Sequence, residues 1–575
     1  MKKLILLILS LMLVRTAYAN TINSFNLHIH RIGGANMSAG DAAKLAKWDI
    51  IVCNKNQWDN DKGAFATTWL NIKNTNASAK VYNYECGTVT SSVQDAWSDE
   101  AINTLGRWDV ARTSPLTALN ADHPTYFLYD GATRLTVVGN YWVDFGNTDV
   151  RGYIAECYNN DFVGQSWANG LDGIYSDHNE AGLYSSTDSG TPDDYPTDAA
   201  WNTAMTSYVS YMTNAVDGLG FEYGCLRGES RFASGVTAWA ALDAATYPPA
   251  FIFEEGFVVV GWVWGAYDAQ IYKPSEWLNQ INAVKAVTHS DVLLQAFTHE
   301  VGPGESGTDT YGKSYVFEDL LWYAMGSYFM VKENNVYFYF GQHDYNMIDA
   351  VWYDEYDYIN IGNPVGDYYA KAVDGITLYM RKYDLGYVIV NPQTTDLSNV
   401  DYSTDLGLSG TFREITHANM ATNPLTGIEA STQFATFKSH RAKILYSGLV
   451  VYDVSPIDGG AGYSITSSAT WNHIAYVDDV EIWLDVGACD GTPDDAGADG
   501  LGDESSADAD KTYDMSTLLE NTVYCLTIVA NAGAEQGEFQ QFDFTTTTPA
   551  GLATCSYHSL GLTGSYDDQG ATVGE

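Results

Sequence analysis

Residues 170–177 read Gly170-Leu171-Asp172-Gly173-Ile174-Tyr175-Ser176-Asp177. A short apolar strand, 173–177, is entered through a Gly/Asp turn and left on a carboxylate. Such a carboxylate is costly to bury, so it calls for a partner or a job. The same pattern recurs along the first 340 residues. Strands are expected at 25–28, 49–53, 80–85, 173–177, 221–225, 251–255, 292–297 and 327–331. Helical segments among them are expected at 42–47, 200–216, 275–287 and 316–325. Eight strand–helix alternations over roughly 300 residues are what an α/β fold of the (β/α)8 TIM-barrel type requires. A doubly wound sheet is the competitor, and the lack of a Gly-rich phosphate loop after the first strand counts against it.

Outward from that stretch the pattern changes. After about residue 365 the helical period disappears. Runs at 376–379, 386–390, 410–414, 433–437 and 443–446 read as strands of an antiparallel β-domain. A second all-β unit begins near Pro456, with strands at 468–471, 480–484, 522–530 and 541–545. The expected plan is a signal peptide (1–19), a barrel (20–365), an antiparallel β-domain (366–450), a second β unit (451–546) and a linker or tail (547–575).

Composition narrows the classes. The chain has 575 residues, of which 46% are hydrophobic. That is enough for about three or four cored domains at roughly 100–200 residues each. It carries 28 Lys+Arg against 72 Asp+Glu, a net charge of −44. Such a chain repels phosphate backbones and anionic membranes, so no nucleic-acid partner is expected. Aromatics reach 14%, and they serve either as core or as flat platforms for sugar rings.

The first residues suggest export. Met1-Lys2-Lys3 is a basic start, 4–14 is apolar, and Ala17-Tyr18-Ala19 is a small-x-small cleavage site. Cleavage before Asn20 would remove Lys2, Lys3 and Arg15, lowering the net charge by 3, from −44 to −47. The expected location is secreted, periplasmic or extracellular. No later run reaches 18 apolar residues, so no membrane span is expected. The seven cysteines form no CxxC pair, which argues against a zinc site. Export permits disulfides: Cys53 with Cys86, at the ends of neighbouring expected strands, and Cys489 with Cys525 or Cys555.

In a barrel of this kind, chemistry sits at the C-terminal strand ends. The carboxylates there are Glu85 on strand three, Asp177 on strand four, Glu254 and Glu255 on strand six, and Glu300 after strand seven. Strands four and six are next-nearest neighbours. Their acids would flank one mouth, the arrangement that glycosidic cleavage needs: one group protonates the leaving oxygen, the other attacks or activates water. Asp172, at the strand entrance, is expected to cap or pair at the opposite face. Asp144 and Arg151 are expected to pair, and Trp142 is either a sugar platform or a packed loop residue. His28 and His30 share a strand face without a metal-site carboxylate, so no metal is expected.

The segment 126–179 resembles the secreted glycoside hydrolase-like barrel families. The matching pieces are Tyr129-Asp130-Gly131, then Tyr141-Trp142-Val143-Asp144-Phe145-Gly146-Asn147, then Val150-Arg151, then Leu171-Asp172-Gly173-Ile174-Tyr175-Ser176-Asp177. Segments 352–366, 378–392, 410–414 and 442–445 continue the likeness, which covers about 25–446. It implies a catalytic Asp at Asp177 and a partner acid at Glu254 or Glu255. Side chains alternate along a strand, so only one of the two can face the mouth. Glu255, read as the last residue before a Gly256 turn, is the first choice and Glu254 the second. Glu85, Trp142, Asp144, His178 and Glu300 are the expected substrate-binding residues. Ser176 and His178 depart from the residues usual beside the strand-four Asp.

The segment 456–546 resembles a fibronectin type III β-sandwich, carried by Pro456, Trp471, Tyr524 and Phe542-Asp543-Phe544. Residues 485–510 are rich in Asp and Gly. They fit a solvated acidic loop or a structural calcium site, and no other cofactor is expected. The expected function is a secreted glycoside hydrolase acting on a carbohydrate. The rival is a non-catalytic carbohydrate-binding or cell-surface protein on a degenerate barrel.

Overall fold

The computed structural model describes residues 22–28, 43–54, 70–86, 89–91, 124–137, 140–162, 171–177, 179, 190–216, 219–222, 233–260, 270–298, 302–309, 311–341, 352–353, 355–356, 359, 361–384, 386–408, 412–417, 431–447, 451–455, 460–464, 468–473, 479–486, 504–507, 512–514, 522–532, 535–536 and 540–547. Among the described residues, one sheet holds nine strands: eight run parallel in chain order, and a short one, Gln270–Ile271, pairs antiparallel with the sixth. The eight are β1 (Phe25–His28), β2 (Ile50–Asn54), β3 (Lys80–Cys86), β4 (Gly173–Asp177), β5 (Leu219–Glu222), β6 (Phe251–Val260), β7 (Asp291–Thr298) and β8 (Val336–Gly341). The first and last strands also meet. Ser24 bridges in parallel to Phe338, and the Phe338 N–H donates to the Asn23 carbonyl at 2.9 Å.

Parallel neighbours need long crossovers, usually helical. Among the described residues, five α-helices lie between the later strands: α1 (Thr148–Phe162), α2 (Asp198–Ala215), α3 (Ala233–Asp243), α4 (Pro274–Lys285) and α5 (Phe317–Val331). Local chemistry fixes their starts. The Thr197 hydroxyl accepts from the Ala200 N–H at 3.2 Å to cap α2. Pro274 opens α4, and Glu276 reaches back to the Lys273 N–H at 3.2 Å. The buried stripe of α4 is Trp277, Ile281 and Val284, one face at helical spacing.

One expectation is corrected here. Residues 327–331 are not the eighth strand but the last turns of α5; the strand is Val336–Gly341. Every residue of α5 from Leu320 to Val331 is buried. A helix covered on all sides has no polar face, so its short apolar runs look like strand. The cover is the parallel sheet on one side and a β-domain on the other.

That domain is an antiparallel sheet of β9 (Tyr369–Val373), β10 (Ile376–Tyr383), β11 (Gly386–Asn391), β12 (Phe412–Ile415) and β13 (Arg441–Ser447), in the order β9-β10-β11-β13-β12. Alternation splits its two faces. Leu378, Met380, Ile389 and Leu445 join Phe412, Phe434 and Phe437 in the domain's own core. Tyr383, Val388, Val390, Ile444 and Tyr446 join the core that contains α5. The C-terminus of α5 is capped from the same sheet. Arg381 donates to the carbonyls of Phe329 (3.2 Å) and Lys332 (2.9 Å) and pairs with Glu333 (2.6 Å). A cation on the last turn meets both the orphan carbonyls and the negative end of the helix dipole.

Beyond residue 450 two further sheets follow. One joins Val451–Ser455, Ser468–His473 and Thr512–Asp514, all antiparallel. The other runs Gly460–Ser464, Gln540–Thr547, Val523–Ala532, Asp479–Val486, Glu504–Ala507, and its first pair is parallel. The acidic stretch 487–503 lies outside the described residues, as do the side chains of the expected cysteine pairs. Among the described residues, no helix is long and apolar enough to cross a membrane.

Candidate active site

The inner face of the parallel sheet is fixed by rings that meet across it. Tyr82 of β3 touches Phe251 of β6, with ring centroids 4.8 Å apart. Two strands separate β3 from β6 in the sheet order, so these rings meet edge-on across the fold, not as neighbours. Tyr175 of β4 stacks on Phe251 at 5.7 Å and meets Phe253 edge-on at 5.4 Å. Side chains alternate. Phe251, Phe253 and Glu255 therefore share the inner face, and Ile252 and Glu254 share the outer one. Two contacts agree. Glu254 is in register with Leu294, and a Cβ on Gly256 would sit 3.6 Å from Leu294 Cδ2. Glu254 is 0% exposed and Glu255 6%.

β6 does not stop at Glu255. It runs on to Val260, so Gly256 is not a turn. The strand instead carries a β-bulge between Glu255 and Val259, opposite Gln295 and Phe297 of β7. Phe257 adopts φ 65° within it, a left-handed conformation that strains any residue with a Cβ. The Gln280 side chain spans this bulge from α4. Its Oε1 accepts from the Phe257 N–H at 2.8 Å and its Nε2 donates to the Glu255 carbonyl at 3.1 Å.

Asp177 is the last residue of β4, in register with Cys86 at the end of β3. Only β5 lies between β4 and β6. The β4 exit is held by Asn179, whose Nδ2 donates to the Ser176 carbonyl at 2.6 Å and its Oγ at 3.0 Å. The opposite end is closed by ion pairs. Lys80 meets Asp291 at 2.7 Å, and Asp172 accepts from Lys73 (2.6 Å) and the Val81 N–H (2.7 Å).

Several expected site residues stand elsewhere. Trp142 is fully buried, edge-on to Trp201 at 5.1 Å and to Phe145 at 6.3 Å. It offers no open face to a sugar and serves as packing. Asp144 does not pair with Arg151. It accepts from the Tyr195 hydroxyl at 2.5 Å and the Gly146 N–H at 3.1 Å. Arg151 turns instead to the Phe145 carbonyl (2.7 Å), the Ser207 hydroxyl (3.0 Å) and the Ala204 carbonyl (3.4 Å). Burial pushes the Asp144 carboxyl above the usual range, and the Tyr195 bond only partly opposes it. Glu85 lies in β3 in register with Ser176. His178, His299 and Glu300 fall outside the described residues, as do the side chains of Glu85, Asp177 and His28. Among the described residues, no group of three or more His, Cys, Asp or Glu could hold a metal ion.

Sequence reading missed two residues at this site, Asn179 and Gln280. Gln280 left a signal: it is the polar residue one turn after Trp277, on the face of α4 that is otherwise apolar. Asn179 left a weaker one, a carboxamide two residues past a strand-end acid.

The fold is of the α/β class, and residues 73–387 match the family model for hypothetical glycosyl hydrolase family 15. That is more than half of the chain, and the chain belongs to this family. No curated protein matches it. Among solved structures it is similar to the GH36 α-galactosidase AgaA from Geobacillus stearothermophilus in complex with raffinose, at 11% identity and a TM-score of 0.36, over 75% of this chain and 56% of that one. The α-galactosidase from Lactobacillus brevis gives 10% identity and a TM-score of 0.38, over 75% and 56%. The Nostoc punctiforme debranching enzyme, soaked with acarbose, gives 12% and 0.32, over 71% and 87%. The chain thus spans little more than half the length of the α-galactosidases it resembles.

Proposed function

We propose that the chain is a secreted glycoside hydrolase that cleaves glycosidic bonds of a poly- or oligosaccharide with Asp177 and Glu255. The observation that carries this reading is positional. Asp177 closes β4, Glu255 lies on the inner face of β6, and a single strand separates them. Residues two apart on a strand share a face, which puts Glu255 on the face of Phe253. Asp177 acts as nucleophile or base, and Glu255 as the acid that protonates the leaving oxygen. Glu254, on the outer face by the same alternation, is the weaker choice. Membership of a glycosyl hydrolase family supports the reaction class.

The architecture we propose is a (β/α)8 barrel, supported by eight parallel strands in order and the Ser24–Phe338 bridge. The last two sheets form a fibronectin type III-like module, supported by their otherwise antiparallel strand order; the parallel Gly460–Ser464 pair departs from that pattern. Residues 1–19 are a signal peptide. The test is to screen the mature protein on a glycan panel and assay Asp177→Asn and Glu255→Gln on the substrate found. Each should lose several orders of magnitude in turnover with an unchanged circular-dichroism spectrum. Near wild-type rates in both would leave the pair structural and favour the carbohydrate-binding alternative. Loss in Glu254→Gln alone would keep the reaction and move the acid.

A further inference from the structure

We infer that Gln280 is the positioning residue of this site: its buried amide holds the bulge in β6 that sets where Glu255 points. The inference rests on Glu255 being the acid and deepens that reading. β6 takes four steps from Glu255 to Val259 while β7 takes two from Gln295 to Phe297. Val258 and Val259 take antiparallel partners in Ile271 and Gln270, but the backbone around Gly256 and Phe257 falls out of register with β7, and its buried groups must be satisfied some other way. Phe257 at φ 65° is a strained conformation that persists only when its surroundings hold it.

Gln280 provides that hold. It is 1% exposed, and a carboxamide offers an acceptor and a donor side by side. Both are used, one on each side of Gly256: the Phe257 N–H at 2.8 Å and the Glu255 carbonyl at 3.1 Å. The donor bond falls on the backbone of the acid itself. The helix that carries Gln280 is anchored in turn. Trp277 Nε1 donates to the Ser327 hydroxyl of α5 at 2.8 Å, and that hydroxyl donates to the Tyr323 carbonyl at 2.7 Å. A continuous set of buried bonds thus runs from α5 through α4 to the Glu255 backbone. Bulges beside active sites re-aim side chains, and a misplacement of about 1 Å can lower turnover on the order of 10²-fold.

Two variants of the full chain test this. Gln280→Met keeps length and removes both bonds; Gln280→Glu keeps the acceptor for Phe257 and removes the donor. Hydrogen exchange read by mass spectrometry over 255–260 needs no substrate. It should accelerate at least about tenfold in Gln280→Met and less in Gln280→Glu, since the loosened bulge opens locally. On the glycan that the wild type hydrolyses, Gln280→Met should lower kcat about 10²-fold with KM within about threefold. It should also displace the limb of the kcat–pH profile that Glu255→Gln removes, and Gln280→Glu should recover part of the loss. Unchanged exchange in a folded Gln280→Met would overturn the hold on the bulge. If Glu255→Gln abolishes turnover while Gln280→Met keeps kcat and the pH limb, Gln280 does not position the acid. If Glu255→Gln itself keeps full rate, the assignment of the acid fails, and the exchange result still decides whether Gln280 holds the bulge.

Discussion

Gly326 lies in α5 where the helix meets the β-domain, and a methyl group placed there has nowhere to go. Its Cβ would stand 2.2 Å from Ala442 Cβ and 3.4 Å from Val390 Cγ2. Carbon atoms pack at about 3.5–4.0 Å, so α5 and β13 would have to separate by roughly 1.3–1.8 Å. Neither Cβ can rotate away. Against this, Gly→Ala in a helix gains about 1 kcal/mol of propensity. Overpacking a dense core costs about 1–3 kcal/mol. At an overlap this deep the upper end applies, and Gly326→Ala should be destabilised by about 2 kcal/mol net. Urea unfolding should show a lower midpoint, with a fall in melting temperature of a few °C. The double variant Gly326→Ala/Ala442→Gly removes the colliding methyl and should recover about 1.5 kcal/mol beyond additivity. A Gly326→Ala protein at least as stable as wild type, or strictly additive single effects, would refute the close approach of α5 to β13.

Lys332, buried at the end of α5, has its amine pushed down from 10.5 to about 8 by burial and then by the neighbouring Arg381 charge, with Glu333 opposing. The fold therefore disfavours the charged form, and Lys332→Met should stabilise the protein at pH 7 by about 1–3 kcal/mol. Between pH 8 and 10.5 the unfolded chain holds more protons than the fold, so wild-type stability rises with pH there. The gain in Lys332→Met should be full below pH 8 and fade toward pH 10.5; a gain independent of pH, measured by denaturant titration, would exclude this cause. Deleting 451–546 should leave turnover on a small soluble glycoside within about threefold, because cleavage by a positioned pair needs only the parallel-sheet residues. A loss of several orders in that deletion would place the module in the site.

What was legible was local. β1 and β4 are short apolar runs bounded by turn residues, and they lie at 25–28 and 173–177 as the pattern has them. Asp177 at the β4 exit follows from that run alone. What was not legible depended on partners far along the chain. Residues 327–331 read as strand because α5 is wrapped by two sheets, and neither cover is visible in its own sequence. Trp142 reads as a loop aromatic until Trp201, 59 residues later, closes over it. Gly256-Phe257 reads as a turn; only Gln280, from the next helix, reveals a bulge inside a longer strand.

The same non-local packing ties the β-domain to the site face. The segment 302–316 leaves the end of β7 and enters α5, so it emerges on the side where Asp177 and Glu255 lie. Its hairpin, 306–316, is held from the β-domain. Arg441 pairs with Asp319 at 2.6 Å and donates to the Ser314 carbonyl at 3.2 Å. His440, fully buried, bonds Asp309 at 3.1 Å, and burial holds its imidazole below the usual histidine range despite that carboxylate. The His440–Asp309 bond is a buried strut between the β-domain and the hairpin. With α5 sharing one core with both sheets, the β-domain backs α5 against the parallel sheet, and Arg441 of β13 ties the hairpin 306–316 and the start of α5 to that domain.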